Sequence, residues 1–331
     1  MSELLNGPTD SVVADYDRLR DDCALLELRD VALFGLTGED RKGWLQGQVT
    51  QNVRHLERGN SSAFAFCQNT GHFLSPAEAW ALDDEILLAV PKIAQAEVQS
   101  RMDAMIIMED VQVTLRSSAY RLFSVQGPKA TARLLDLIAL PNLDAGTASL
   151  EGADLFVLRS NRTVAGGWDL WIPTVKRKVV NRLRDAFATA SPEAYEIARI
   201  EAGIPKFGQD MNVRTIPMEM GTQYVGRTIS FNKGCYIGQE VIHRIHSRGH
   251  TNRTWVGLQS ERPFAIGQTV GHLRNDNVGT VTSAAESPDF GFIGAAMIRN
   301  EAAFQGEVVR IATAEGPVEA EVRMMPLLRL E

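Results

Sequence analysis

Ser62-Ala-Phe-Ala-Phe-Cys67, followed by Asn69-Thr70-Gly71-His72, sets the class of the whole chain. Small and aromatic residues alternate as they do in a strand, and the Asn-Thr-Gly-His tetrapeptide carries the residues of a hairpin turn. Pro76 interrupts the return strand, which predicts an edge or a bulge there. Glu85-Ile-Leu-Leu-Ala-Val90 reads as a buried strand, and Pro91 opens a helix that runs from Ile93 to Met105. Val111-Gln-Val-Thr-Leu115 alternates again. The order β-β-α-β predicts an antiparallel, ferredoxin-like sheet and so an α+β fold.

Upstream, Val12 to Leu26 has helical spacing. Val31 to Thr37 reads as a strand, with Thr37 as N-cap of a helix through Gln46. Trp44 and Leu45 are core candidates. Gln48, Thr50 and Asn52 alternate as caps, as a cavity lining or as a connector. Downstream a second round begins at Tyr120. It has a strand at Arg121–Val125, a Gly127-Pro128 turn, a helix over Lys129–Ile138, strands at Leu155–Leu158 and Trp168–Ile172, and a helix over Val175–Ala188 with a basic outer face. No internal repeat is legible, but the order of elements predicts two similar lobes. A helix from Glu193 to Ala202 ends at Gly203, a suitable C′ residue. From Thr254 onward, short strands alternate with Gly and Asn turns, which predicts a small β-barrel. The boundary falls near Gly249–Asn252, giving domains 1–250 and 251–331.

The chain has 331 residues, 44% hydrophobic and 23% charged, with a net charge of −7. That balance is globular and argues against a protein that coats nucleic acid. Three cysteines, Cys23, Cys67 and Cys235, form no CxxC pair, which fits a reducing cytoplasm. Met1 to Asp10 lacks a signal-peptide pattern, and no apolar run approaches membrane-spanning length.

Chemistry concentrates in Lys233-Gly-Cys-Tyr-Ile-Gly-Gln-Glu240, a loop entering a short helix that carries Arg244 and Arg248. Cys235 is either an inert thiol or one exposed by Gly234 and activated by Lys233. Glu201 lies on the last turn of its helix, where the dipole disfavours a carboxylate. It suits either an ion pair with Arg199 or Lys206, or a ligand with adjacent N–H donors, such as a pterin edge. His243, His246 and His250 share helical spacing, but no carboxylate or thiol joins them, so no metal is expected. The arginines suit an anionic tail better.

The Lys233–Glu240 stretch resembles the signature of the YgfZ family of folate-binding proteins, relatives of the glycine-cleavage T-protein. Gly38 through Asn52, with Trp44 to Asn52 within it, is similar to the family's first motif. Arg199-Ile-Glu-Ala-Gly-Ile-Pro205 is similar to its pterin-binding segment, and Val278 to Ser283 to its C-terminal barrel. The resemblance implies two interleaved α+β lobes and a barrel around a central folate cavity. Glu201 would grip the pterin and Cys235 would be the functional thiol. Arg199, Arg227, Lys233, Tyr236, Gln239, Glu240 and Arg253 are the further cofactor-binding candidates. The implied cofactor is tetrahydrofolate or a derivative. The implied role is assembly or repair of iron–sulfur clusters in client enzymes, including enzymes that modify tRNA, without direct nucleic-acid binding. T-proteins carry an Asp after the hairpin, whereas Gly71 to Ala77 here contains no carboxylate until Glu78. That departure ranks an aminomethyltransferase or demethylase second.

Overall fold

The computed structural model describes residues 8–273 and 275–327. The first lobe contains β2 (Val31–Thr37), α2 (Arg41–Gln48), β3 (Ser61–Cys67), β4 (Phe73–Ala81), β5 (Ile86–Pro91), α3 (Gln95–Met105) and β6 (Gln112–Leu115), preceded by α1 (Asp10–Asp21) and β1 (Ala24–Leu28). The second contains β7 (Tyr120–Gln126), α4 (Ala130–Leu135), β8 (Ala145–Leu150), β9 (Ala153–Ser160), β10 (Gly167–Pro173) and α5 (Arg177–Ala186). Strand order is β3-β4-β5-β2-β6 in one sheet and β1-β7-β10-β9-β8 in the other, antiparallel throughout. The two orders superpose position by position. Where the first lobe uses its own last strand, β6, the second borrows β1 from the beginning of the chain.

That exchange overturns the helix expected over Val12–Leu26. The helix stops at Asp21, because the residues from Ala24 pair with β7 instead. Of the two expectations at Pro76, the edge fails, whereas the ladder register does shift beside it, between Phe73 and Ser75. β4 lies between β3 and β5, and the missing N–H is tolerated because the β4–β5 ladder begins only at Glu78. Thr37 ends β2, and Asp40 takes the N-cap position of α2.

Alternation along the strands buries both faces of each sheet. Phe34, Leu36, Phe64 and Leu88 pack on Trp44, Leu45, Val98 and Met102 of the covering helices. Leu33, Trp80 and Leu87 pack instead on Leu122, Leu158 and Trp171 of the other sheet. This explains the uninterrupted apolar run of β5: a strand covered on both sides has no polar face to present. The layers are therefore helix, sheet, sheet, helix.

Three helices, α6 (Pro192–Glu201), α7 (Gly221–Thr228) and α8 (Gln239–Arg248), lead to the barrel. Ser191 caps α6 through its hydroxyl. The barrel is closed in the order β11-β14-β13-β12-β15-β16, with β11 Arg253–Ser260, β12 Thr269–His272, β13 Asn275–Ser287, β14 Gly291–Arg299, β15 Val308–Thr313 and β16 Gly316–Arg323. Closure removes the exposed edges that such short strands would otherwise present.

Candidate functional site

A cavity of about 1690 Å³ lies between the first lobe, α6, α7 and the barrel. Its floor follows from register. Ala63, Glu78 and Ala89 stand side by side across β3, β4 and β5, so one carboxylate rises between two small residues. Phe207, Met211, Met220, Trp255 and Met325 give an apolar wall. Such a mixture, mostly apolar with few polar groups, is that of a small-molecule site.

One side is held rigid by Arg199. Its guanidinium donates to Glu196 (2.5 and 2.9 Å), Ile204 O (2.6 Å), Asp210 Oδ2 (2.9 Å) and Ser283 Oγ (2.8 Å). Asp210 is fully buried and also accepts from Thr282, Ser283 and Trp255. Arg199 thus ties α6 and the following loop to β13 of the barrel. Burial pushes the Glu196 carboxyl up, but the Arg199 bonds and charge outweigh it and hold the group below its usual range. Further round the wall, Arg162 forms a bidentate pair with buried Asp169 (2.9 and 2.5 Å).

The Lys233–Glu240 stretch is built against two other segments. Lys233 Nζ donates to the carbonyls of Gln46 (2.7 Å) and Val49 (2.5 Å) at the end of α2 and of Gln51 (2.8 Å) just beyond it. Thr50 Oγ1 donates to Thr228 O and Ser230 N to Thr50 O, which extends the clamp to the end of α7. Burial and neighbouring Arg54 lower Lys233 to about 8. Gly238 has φ +86°, and a Cβ there would meet Gln68 O at 2.6 Å. Gly71, φ +77°, would likewise strike Val241. Both glycines are required where the hairpin and the loop touch.

The sequence matches two family models across this architecture: the GCVT N-terminal domain over residues 6–233 and the glycine cleavage T-protein C-terminal barrel domain over residues 253–328. The chain belongs to the glycine cleavage T-protein family. It is 25% identical to a protein named aminomethyltransferase from Halothermothrix orenii, over 96% of this chain and 92% of that one. It is 28% identical to a protein named tRNA-modifying protein YgfZ from Yersinia enterocolitica, over 80% of this chain and 81% of that one. The crystal structure of aminomethyltransferase T from Bartonella henselae shares the fold, with a TM-score of 0.83 at 19% identity over 96% of this chain and 89% of that one.

Within this T-protein-family cavity the expected residues divide. Arg199 and Arg227 line it. Glu201 does not. Its buried carboxylate accepts from Ser287 Oγ (2.6 Å) and from Tyr16 Oη (3.0 and 3.1 Å), which joins α1 and α6 to the barrel. Burial raises its pKa against those hydrogen bonds. The ion pair of Glu201 with Arg199 or Lys206 is likewise absent, because Arg199 turns to Glu196 and Asp210. Lys233 is spent on the clamp, and Arg253 on Glu219 (2.8 and 3.1 Å). Tyr236 is buried with its ring 5.0 Å from Lys233 Nζ. Gln239 Nε2 lies 3.3 Å from His243 Nε2, and Glu240 is exposed. Cys235 is an exposed free thiol outside the cavity. His250 lies past the end of α8 at Arg248, so the three imidazoles do not share a helix, and His246 stacks on Phe231 with centroids 3.7 Å apart.

The sequence reading missed Glu196, Asp210, Arg162 and Tyr224. Tyr224 lines the cavity, its hydroxyl is buried and has no partner among the described residues, and burial raises its pKa strongly. The Glu196–Arg199 spacing was the only local signal; the others come together through the tertiary fold.

Proposed function

We propose that this chain binds a reduced folate in the cavity and serves as a YgfZ-type accessory protein for the assembly or repair of iron–sulfur clusters in client enzymes, including enzymes that modify tRNA. The observation that carries the choice lies on β4. Ser75 Oγ is turned back onto Pro76 O (2.7 Å), and the first carboxylate after the hairpin, Glu78, is already paired with Arg227. The Asp that resemblance implies for aminomethyl transfer has no counterpart there. Bound, a reduced folate supplies one-carbon chemistry. The residues here hold it. Phe207, Met220 and Trp255 suit the flat heterocycle, and Glu196 Oε2, which accepts one bond from Arg199, retains a lone pair for an N–H edge. Cys235 sits outside, where a partner protein reaches it. The three free cysteines, Cys23, Cys67 and Cys235, accord with the cytoplasmic location proposed for the chain, and among the described residues no helix is long and apolar enough to cross a membrane.

The coverage of relatives named aminomethyltransferase favours a second reading, a folate-dependent transferase or demethylase. Calorimetry with tetrahydrofolate, followed by an assay for methylene- or methyl-tetrahydrofolate, separates the two. Binding without turnover is expected, together with loss of client-enzyme activity when Cys235→Ala replaces the wild type in a deletion strain. Turnover of a loaded carrier or methylated donor overturns the first reading. Absence of binding overturns both.

A further inference from the structure

Away from the cavity, three guanidiniums converge on one carboxylate. Glu27 lies on β1, the strand that the second lobe takes from the beginning of the chain. Arg29 follows two residues on, the spacing that returns a side chain to the same face. Glu27 stands opposite Phe123 of β7, so Arg121 is its diagonal neighbour on that face. α5 covers the face with Val179, Val180 and Leu183, which pack with Leu25 and Phe123, and its last turn brings Arg184. Glu27 Oε1 accepts from Arg121 Nη2 (2.7 Å) and from Arg29 Nη2 (2.9 Å) and Nε (3.2 Å), while Oε2 accepts from Arg184 Nη2 (2.8 Å). The Arg121 guanidinium also lies over the Phe123 ring, 5.1 Å from its centroid. The Glu27 side chain is 18% exposed, against 81%, 37% and 50% for Arg29, Arg121 and Arg184, so the acid sits beneath and the cations face water. Burial pushes the Glu27 carboxyl up, but the hydrogen bonds from Arg121 and Arg29 outweigh it and keep the group below its usual range.

Three positive charges against one negative leave an excess of two. Among the described residues none of the three arginines meets a second carboxylate within ion-pair distance. Nη1 of all three, and Nε of Arg121 and Arg184, donate to no protein acceptor there. A guanidinium is a planar fork, and one edge fixed on an acid leaves the other edge oriented for a second anion. The excess matches a phosphate dianion, whose three oxygens accept from several such edges at once, whereas a single carboxylate would neutralise only half of it. None of the four residues lines the cavity or the recess beside it.

We infer that the Glu27 cluster is a binding site for a phosphate dianion, carried by a small phosphomonoester or taken up as free phosphate. Its occupant ties β1 to β7 and α5, three elements distant in sequence, and therefore stabilises the folded chain, in which alone they meet. The inference is independent of what the cavity binds.

Calorimetry at about pH 8 and fixed ionic strength tests it, with inorganic phosphate and glycerol phosphate as probes, both doubly charged there. Saturable binding of one ion per chain is expected for at least one probe, with a rise in the urea midpoint at the same concentration. A tighter phosphomonoester assigns an organic ligand, and equal affinities assign the phosphate group alone. Arg121→Gln and Arg184→Gln should each weaken binding about tenfold and remove most of the midpoint shift. Both side chains are surface-exposed, so the fold is expected to survive. Lys178→Gln removes the same charge from α5, about 120° round the helix from Arg184, and should leave the affinity within about twofold. Equal losses for Lys178→Gln and Arg184→Gln would mean that the general field of the helix draws the ion, and would overturn the inference. Failure of both probes to saturate the wild type would overturn it as well.

Discussion

Glu196 and Glu201 stand little more than a turn apart on α6 and meet opposite fates. Glu196 faces the cavity, where Arg199 keeps it ionised. Glu201 points to the junction of α1 and the barrel, where a phenol and a hydroxyl are its partners and, among the described residues, no cation is in hydrogen-bond reach. In a helix, residues five apart differ by about 140° around the axis. The same side chain therefore serves a cavity wall on one side and a domain joint on the other. What distinguishes them is the charge that faces each, which no helix-end argument supplies.

The largest effect expected from this contrast is at Arg199. Arg199→Met leaves Glu196 and the fully buried Asp210 without their cation, and should destabilise the fold by about 3–5 kcal/mol, read as a lower urea midpoint. Glu196→Gln keeps one of the two acceptor oxygens that Arg199 uses and leaves the Asp210 pair intact, and should cost far less. Equal losses would mean that the cavity side of α6 is held by packing rather than by the arginine.

The next effect lies in the clamp. Lys233→Met removes three donors from buried carbonyls and should cost about 1–3 kcal/mol. Cys235→Ala, two residues on but exposed, should stay within about 0.5 kcal/mol of wild type. A stretch that reads as one wall of a site thus separates into a buried anchor and a free thiol. Similar stabilities for the two variants would undo that division.

Much of the fold was legible because its signals are local. The alternation of β3, the Gly71 turn, the apolar run of β5 and the Gly-punctuated barrel strands each announce themselves within a few residues. β1 did not, because Ala24-Leu-Leu-Glu-Leu28 continues the helical spacing of α1 and becomes a strand only through pairing with β7. The same limit governs the site. The unusual composition of Lys233–Glu240 marked it as special, but the acceptor of Lys233 is 187 positions away in sequence. Tyr224 lies on α7, between the irregular stretch and the Lys233 motif, and no motif includes it. Glu201 was conspicuous at a helix end, yet its partners Tyr16 and Ser287 come from opposite ends of the chain.

The smallest effect isolates Glu201 itself. Tyr16 Oη lies 3.0 and 3.1 Å from the Glu201 oxygens and 3.0 Å from Asp289 Oδ2, yet a phenol has one proton to give. Burial raises the Glu201 pKa, with the Ser287 and Tyr16 hydrogen bonds opposing. A carboxyl raised in the fold favours folding in its protonated form. That contribution is complete below the unfolded value of 4.5 and is lost as pH climbs through the folded value. Glu201→Gln keeps a neutral group of the same shape and does not titrate. Urea midpoints from about pH 4 to about pH 7 should therefore show the Gln variant gaining on the wild type as pH rises, with all other titrating groups common to both. Parallel curves would mean that Glu201 titrates alike in the folded and the unfolded chain. The Arg20 guanidinium, which contacts Asp289 and donates to Tyr16 Oη, would then be the cation that holds the joint, and the two sides of α6 would differ less than their neighbours suggest.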